Sequence, residues 1–222
     1  MLQALMTLCL LGTPVYAFQT AIDANPQAPP PPPPTPTLTG LKFALTWPNG
    51  YCQTKACIPN KIVQHFTIHG LWPHDQSWTS LPPVKGLPPL NDKIIDAKLR
   101  SQLVKDWPGL EQQDDSLFWA HERTKHGGFL DQNAYLRKGL ALHGAHNLKT
   151  ILATAKVVPG AKPQPAATIR NALKTALGNK DIILICLNTY LIEIRICYDQ
   201  LGMNIVRCNT SEDKCIGNII YL

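Results

Sequence analysis

Two short segments of this 222-residue chain hold side chains that can transfer protons. Residues Phe66–Pro73 read FTIHGLWP, and residues Phe118–Gly127 read FWAHERTKHG. Together they contain three of the seven histidines, a glutamate and a lysine, namely His69, His121, Glu122, Lys125 and His126. An imidazole titrates near neutrality, so two imidazoles can act as general base and general acid. A neighbouring cation and carboxyl group suit a reaction that builds up negative charge, as attack at a phosphodiester does.

A helix must position four of these five groups. At about 100° per residue, Lys125, Glu122 and His126 lie about 40°, 100° and 140° from His121. The four side chains then share one side of the helix, and Arg123 points away from it. A solvated helix face of mixed charge would give the same pattern, so the helix alone does not decide the function.

A strand must position the fifth group. Residues 64–69 alternate, so that Phe66 and Ile68 face one side and Thr67 and His69 face the other. Gly70 follows and leaves room for a close approach. A single histidine on a strand is more often structural, and a catalytic role for His69 therefore requires that the two segments meet in space.

The spacing of the candidate ligands disfavours a metal centre. Zinc proteases place two histidines at positions i and i+4 of a helix, whereas His121 and His126 are five residues apart. The chain also lacks the Cys-x-x-Cys spacing of structural zinc sites. We therefore expect neither a metal nor a cofactor at this site.

The first 39 residues predict an exported protein with a disordered arm. Residues 1–17 carry no charge and end in VYA, which fits a secretory signal cleaved after Ala17. The basic start of a typical signal is missing, and an apolar membrane anchor is the alternative, although the run is too short to span a bilayer. Residues 18–39 include six consecutive prolines, Pro29–Pro34, and predict an extended, disordered arm. The folded domain then covers residues 40–222.

Charge and cysteine content agree with export. The formal net charge of +6 favours anionic partners such as nucleic acid or acidic polysaccharide.

Without the signal, six cysteines remain, and an even number in a secreted chain predicts disulfides. Cys52 and Cys57 are close enough for a local loop. Two further bridges of open pairing are predicted among Cys186, Cys197, Cys208 and Cys215. Asn209 begins an Asn-Thr-Ser acceptor for an N-glycan.

The order of the predicted elements indicates an α+β fold. Apolar alternation predicts strands over residues 41–47, 64–69, 181–187 and 190–198, and near 204–207 and 218–222. Helical periodicity predicts helices over residues 93–105, 115–127, 131–143, 145–156 and 165–177, after a Pro- and Gly-rich loop over 79–92. Since strands flank a helical middle, we expect an antiparallel β-sheet with flanking α-helices, held by disulfides.

The two segments resemble the two active-site signatures of the T-two family of secreted acid ribonucleases. The resemblance extends over about Leu41–Leu222 and includes the LTWP of residues 45–48, the Trp107-Pro108 pair and the ICYD of residues 196–199. It implies a secreted, extracellular endoribonuclease that is a monomer and does not bind a membrane. The basic charge and the four C-terminal cysteines are most similar to the plant S-RNases. That branch implies a role in pistil self-incompatibility and an F-box-type pollen partner.

The resemblance also implies the reaction. RNA supplies its own nucleophile, the 2′-hydroxyl, and the product is a 2′,3′-cyclic phosphate. One imidazole removes the 2′-hydroxyl proton, and the other protonates the leaving 5′-oxygen. By analogy His126 is the base and His69 the acid, and the reverse order is the alternative. No metal or other cofactor takes part.

The remaining site residues receive their roles from the same resemblance. Lys125 and Glu122 would stabilise the charged pentacoordinate phosphorus, and His121 would bind phosphate. Trp72 and Phe118 would line the base pockets, where stacking tolerates different bases. Ordinary core packing is the alternative for both aromatic residues, and for Trp72 it fits at least as well.

The chain departs from the family pattern in one region. The family continues the second signature with Thr-Cys, whose cysteine pairs with one in the loop after the first signature. Here Gly128 and Phe129 stand in that place, and residues 74–117 contain no cysteine. Arg123 replaces an aromatic residue and His74 an aspartate, which bears on stability and base preference. By resemblance the remaining bridges are Cys52–Cys57, Cys186–Cys215 and Cys197–Cys208.

Two other classes of function are compatible with the sequence. One is a catalytically inactive storage, defence or binding protein on the same fold. The other is a basic carbohydrate- or wall-binding protein that works through the proline-rich arm. Retention of all five polar candidates favours the enzyme.

Overall fold

The computed structural model describes residues Thr37–Leu222. The predicted signal segment and most of the predicted arm lie outside these residues, and both stay predictions. The strands of the described part are β1 (Gly40–Thr46), β2 (Thr67–His74), β3 (Gln164–Pro165), β4 (Ile183–Leu187), β5 (Tyr190–Asp199), β6 (Ile205–Val206) and β7 (Asn218–Ile219). The helices are α1 (Pro48–Tyr51), α2 (Ala97–Asp106), α3 (Asp115–His126), α4 (Gln132–Ala145), α5 (Leu148–Thr154) and α6 (Ala166–Ala176).

The main sheet confirms the predicted α+β fold. Its strands follow the order β2-β1-β5-β4, and β6 pairs with β5. Every pairing between these strands is antiparallel. The short strand β3 was not predicted, and it pairs with β7 in a separate two-stranded sheet.

Strand β2 differs from its prediction, and the difference matters for the site. The sequence predicts a strand over residues 64–69, but the strand begins at Thr67 and continues to His74. Its ladder with β1 runs from Thr46 opposite Thr67 to Gly40 opposite His74. Pro73 fits because β2 lies at the edge of the sheet, where a missing N–H breaks no inner ladder. His69 and Trp72 are consequently held by one continuous strand.

The helices begin largely at capping side chains. Asp96, Asp114, Asp131 and Asn147 each accept a hydrogen bond from a backbone N–H in the first turn of the helix that follows. Helix α2 begins later than predicted because a 3₁₀ turn occupies residues 92–94. No helix within residues 37–222 is both long and apolar enough to cross a bilayer.

Three buried tryptophans connect the helical layer with the sheet. Trp47, Trp107 and Trp119 are each at most 1% exposed. The indole of Trp119 donates to the carbonyl of Trp107 at 2.7 Å, and the indole of Trp107 donates to the carbonyl of His69 at 3.0 Å. These bonds fix helix α3 and the segment before it against the strand that carries His69.

The disulfides are those that the resemblance implies. Cys52 pairs with Cys57, and the two C-terminal bridges are Cys186–Cys215 and Cys197–Cys208. In the region that lacks the family's fourth bridge, the Asn91 backbone and the Gln132 side chain exchange two hydrogen bonds, of 2.6 and 2.9 Å. The side chain of Val84 packs directly against Gly128. Polar and apolar contacts therefore join the two segments that a disulfide would otherwise join.

Candidate active site

The two signature segments meet where helix α3 packs against strand β2. Trp72 is half-buried at the centre of this contact. Its ring lies 5.0 Å from the ring of His69 and 5.4 Å from the ring of His126, measured between centroids. The structure thus places Trp72 in the site and not in the core, and it brings both candidate proton-transfer groups to one aromatic side chain.

Glu122 is buried beneath this aromatic residue. Its side chain is 3% exposed, its Oε2 accepts a hydrogen bond from the Trp72 indole at 2.8 Å, and its Oε1 lies 3.9 Å from Nε2 of His69. Gly70 makes this approach possible, because a Cβ at that position would lie 2.1 Å from Oε2 of Glu122. Gly70 therefore allows a close approach, as predicted, and the group that approaches it is the carboxyl group of Glu122.

On the side away from Glu122, His69 is hydrogen-bonded to Glu193, a residue that was not predicted from the sequence. Nδ1 of His69 shares a hydrogen bond with Oε2 of Glu193, which lies on strand β5. Glu193 also accepts a bond from Nε of Arg195 at 2.6 Å. The signal that could have identified it is a glutamate that stands, with Arg195 two residues later, in the otherwise apolar run YLIEIRIC.

The two imidazoles have pKa values that are shifted in opposite directions. Burial opposes the charge on His69, but the carboxylates of Glu193 and Glu122 outweigh burial and raise its pKa above the usual 6.5. Burial and the nearby charges of His69, Lys125 and His121 lower the pKa of His126 to about 4. The Nδ1 of His126 is buried without a hydrogen-bond partner among the described residues, which agrees with a neutral ring.

The two buried carboxyl groups also differ. Burial raises the pKa of Glu122, and the charge of His69 and the Trp72 hydrogen bond only partly offset that effect. Burial acts in the same direction on Glu193, but the charges of His69 and Arg195 and their hydrogen bonds lower its pKa overall. Glu193 is therefore an anion at mildly acidic pH, whereas Glu122 takes up a proton more readily.

His121 and Lys125 lie at the exposed rim of the same cluster. Their charges act on His126, and the charge of His121 also acts on Glu122. The guanidinium of Arg195 lies over the Trp72 ring, 4.8 Å from its centroid. All five polar candidates thus come together, whereas Arg123 is 5% exposed on the core side of α3, away from their shared face.

Comparison with known proteins decides the family. Residues 39–208 match the Ribonuclease T2 family. The chain belongs to that family. It is 33% identical over 181 residues to Extracellular ribonuclease LE of Solanum lycopersicum, covering 75% of this chain and 78% of the relative. It is 31% identical over 186 residues to Ribonuclease S-2 of Antirrhinum hispanicum, covering 75% and 74%.

Solved structures agree. Ribonuclease MC1 from the seeds of bitter gourd superposes with a TM-score of 0.74 at 30% identity, covering 82% of this chain and all of that chain. The self-incompatibility-associated SF11-RNase of Nicotiana alata gives a TM-score of 0.74 at 25% identity, covering 83% and 99%. The chain is thus a T2 endoribonuclease, and its similarity includes both extracellular ribonucleases and S-RNases.

This ribonuclease has a cavity directly beside His69. The Phe118 ring lies 5.8 Å from the His69 ring and forms one wall. Tyr51 and Glu111 lie on another wall and are hydrogen-bonded to each other. The cavity therefore combines an aromatic surface with polar groups.

Proposed function

We propose that this ribonuclease cleaves single-stranded RNA by transesterification, with attack of the 2′-hydroxyl and release of a 2′,3′-cyclic phosphate. The observation that supports this most strongly is the pair of imidazoles with opposite pKa shifts, both in contact with Trp72. At mildly acidic pH one ring holds a proton and the other does not. A general acid and a general base are then present together before the substrate arrives.

His126 acts as the base. Its lowered pKa keeps the ring neutral above about pH 4, so it can take the proton from the 2′-hydroxyl. The 2′-oxygen then forms a bond to phosphorus, and the bond from phosphorus to the 5′-oxygen breaks. DNA has no 2′-hydroxyl and is not a substrate.

His69 acts as the acid. Its raised pKa keeps the ring protonated, and its Nδ1 is bonded to Glu193, so Nε2 is the nitrogen that can donate to the leaving 5′-oxygen. The side chain is one-third exposed, which gives a substrate access. After the reaction His69 is neutral and His126 is protonated, so water or buffer must restore the starting state.

The other candidates stabilise charge and position the substrate. Lys125 at the rim faces the negative charge that develops on the non-bridging phosphoryl oxygens, and His121 binds a phosphate beside it. Glu122 contributes from beneath the site, because its Oε2 holds the Trp72 indole at 2.8 Å and its Oε1 lies 3.9 Å from Nε2 of His69, where the carboxylate stabilises the imidazolium beside the phosphate. Trp72 and Phe118 give the bases aromatic surfaces for stacking.

Two substrates distinguish the acid from the base. His69→Ala and His126→Ala should each lower kcat/KM on a dinucleotide by about 10²- to 10⁴-fold. On a uridine 3′-(4-nitrophenyl phosphate), whose leaving group needs no proton, His69→Ala should recover most of its activity and His126→Ala should not. Recovery by His126→Ala instead would reverse the two roles.

A matched control is His146→Ala, which removes a half-buried histidine that lines cavities to which none of the site residues contributes. It should leave both activities unchanged. A wild-type protein that leaves RNA intact at mildly acidic pH would contradict the enzyme and favour the inactive storage, defence or binding protein.

We propose that the protein is secreted, as the relative named extracellular suggests. The exposed Asn209 then carries an N-glycan. Secretion predicts a mature chain that begins at Phe18, and mass spectrometry of the secreted protein before and after deglycosylation tests both points. A chain that retains residues 1–17 would contradict the signal peptide.

A role in self-incompatibility is a second candidate, supported by the similarity to S-RNases and by the basic net charge. It predicts a transcript confined to the pistil and a sequence that varies between individuals. It also predicts a pollen partner of the F-box type. Expression in other tissues, or an invariant sequence, would contradict this role.

A further inference from the structure

We propose that Glu193 is a positioning residue for catalysis, which fixes the ring of His69 and holds it as the imidazolium that donates the proton to the leaving oxygen. The inference rests on the proposed acid role of His69. It adds a carboxylate from strand β5, far along the chain from both signatures, to the groups on which the reaction depends.

The geometry of Glu193 supports this role. Its side chain is 7% exposed, and both of its oxygens are occupied by cationic donors. Oε2 binds Nδ1 of His69, and Oε1 accepts from Nε of Arg195 at 2.6 Å. A carboxylate held at both oxygens cannot rotate freely, so it imposes one orientation on the imidazole.

The orientation matters because an imidazole has two different nitrogens. When Nδ1 carries a proton that is bonded to a carboxylate, only Nε2 remains to exchange a proton with the substrate. Nε2 of His69 is the nitrogen that faces Glu122, at 3.9 Å from Oε1, and therefore faces the site. Without Glu193 the ring could turn over and present the wrong nitrogen.

Glu193 belongs to a partly buried chain of alternating charges. Arg195 is bonded through Nη1 to Oε2 of Glu212 at 2.5 Å, and Oε1 of Glu212 binds Nζ of Lys42 at 2.5 Å. The Lys42 side chain is only 4% exposed. The two cations and two carboxylates balance, so the protonated ring of His69 is placed at the end of a neutral chain and next to its anion.

This arrangement predicts the consequence of removing one charge. The charged groups near His69 are Glu193 and Arg195 from β5, and Glu122 from α3, with His126 nearby on the same helix. Replacing Glu193 by glutamine leaves this chain of charges with one excess positive charge beside the ring, because Glu212 alone must then balance both Arg195 and Lys42. The imidazolium then becomes less stable, and His69 loses its proton at a lower pH.

The test compares Glu193→Gln with Glu193→Asp and Glu212→Gln. Histidine NMR titration should show a lower pKa for His69 in Glu193→Gln and a largely restored value in Glu193→Asp. Glu212→Gln is the matched control, because it removes a carboxylate from the other side of Arg195 without touching His69. It should shift the pKa of His69 much less than Glu193→Gln does.

Kinetics provide the second readout. In Glu193→Gln, kcat/KM on a dinucleotide should fall by about 10- to 100-fold, less than complete loss of an acid costs. The alkaline limb of the pH profile should move to lower pH, and the nitrophenyl substrate should be affected much less. A role confined to pairing Arg195 would lower stability without moving either the limb or the His69 titration.

A folded Glu193→Gln variant with an unchanged pKa for His69 overturns the proposal. If that variant does not fold, the wild-type enzyme decides: a strongly downfield Nδ1 proton on His69 supports the bond, and its absence overturns it. The NMR titration requires no RNA cleavage. It therefore tests the role of Glu193 separately from the cleavage assays, which test the proposed function.

Discussion

At the scale of single residues, the surroundings of the two imidazoles determine when the site is active. Burial and neighbouring cations keep His126 neutral, and two carboxylates keep His69 protonated. Neither ring would have this property alone in water, where both would titrate near pH 6.5. The interval between the two shifted pKa values is the pH range in which acid and base coexist.

The first prediction is a bell-shaped pH dependence of kcat/KM. Activity should rise as the pH increases through about 4, where His126 loses its proton, and fall as the pH passes the raised pKa of His69, above 6.5. Initial rates on a dinucleotide across the acid and neutral range measure both limbs. An acidic limb near neutrality would contradict the charge state assigned to His126.

The ion pair between His69 and Glu193 makes the stability of the fold depend on pH. The raised pKa of His69 gives stability that is complete below about pH 6.5 and is lost as the pH rises through the folded-state value. The lowered pKa of Glu193 gives stability that is present above about pH 4.5 and is lost as the pH falls. The His69–Glu193 pair therefore stabilises the fold most between these limits, which overlap the range of predicted activity.

At the scale of elements, the contact between α3 and β2 depends on the glycine at position 70. The hydrogen bond from Trp72 to Glu122 lies against Gly70, and a Cβ there would be 2.4 Å from the indole nitrogen. Both partners would have to move. The close packing of helix on strand is thus part of the site's chemistry.

Gly70→Ala should therefore lower kcat by at least about 10-fold while the protein stays folded, because it displaces Glu122 and Trp72. Steady-state kinetics and thermal unfolding measure the two effects. Gly144→Ala in helix α4 is the control, since nothing lies within 4 Å of its added methyl group and alanine favours a helix. Wild-type kcat in Gly70→Ala would show that the packing is looser than the structure indicates.

Helix α3 and its polar face are predicted from the sequence nearly to the residue, because periodicity is a local property. The predicted end of β2 is wrong, since the ladder with β1 continues past the point where alternation stops at Gly70. Glu193 was not predicted, because its contact with His69 spans 124 residues and no local pattern encodes it. The burial of Arg123 was not predicted either, because only tertiary packing imposes it.

At the scale of the whole molecule, disulfides are placed unevenly. The bridges Cys186–Cys215 and Cys197–Cys208 fasten the C-terminal strands, where Glu193 and Arg195 lie. The segment after α3 and the loop at Val84 have no such bridge and depend on the Asn91–Gln132 hydrogen bonds and on apolar contact. The side of the molecule without disulfide cross-links is thus the one that carries His126.

A new bridge across this gap should stabilise the protein. A Cβ on Gly128 would lie 2.7 Å from Cβ of Val84, nearer than the roughly 3.8 Å of a disulfide. Val84 is 51% exposed, so its loop can move outward by the needed distance of about 1 Å. The bridge would close a loop of about 44 residues (128 − 84), for which chain entropy sets a limit of about 4 kcal/mol.

The double variant Val84→Cys/Gly128→Cys should raise the free energy of unfolding by about 2–4 kcal/mol when oxidised. Denaturant unfolding of the oxidised variant, with wild type under the same conditions, measures this gain. Because the three native bridges are also sensitive to strong reductant, the control is Val84→Ser/Gly128→Ser, which keeps the size of the new side chains without a bond. Equal stability of the bridged and serine variants would show that this side of the molecule is already as constrained as a disulfide could make it.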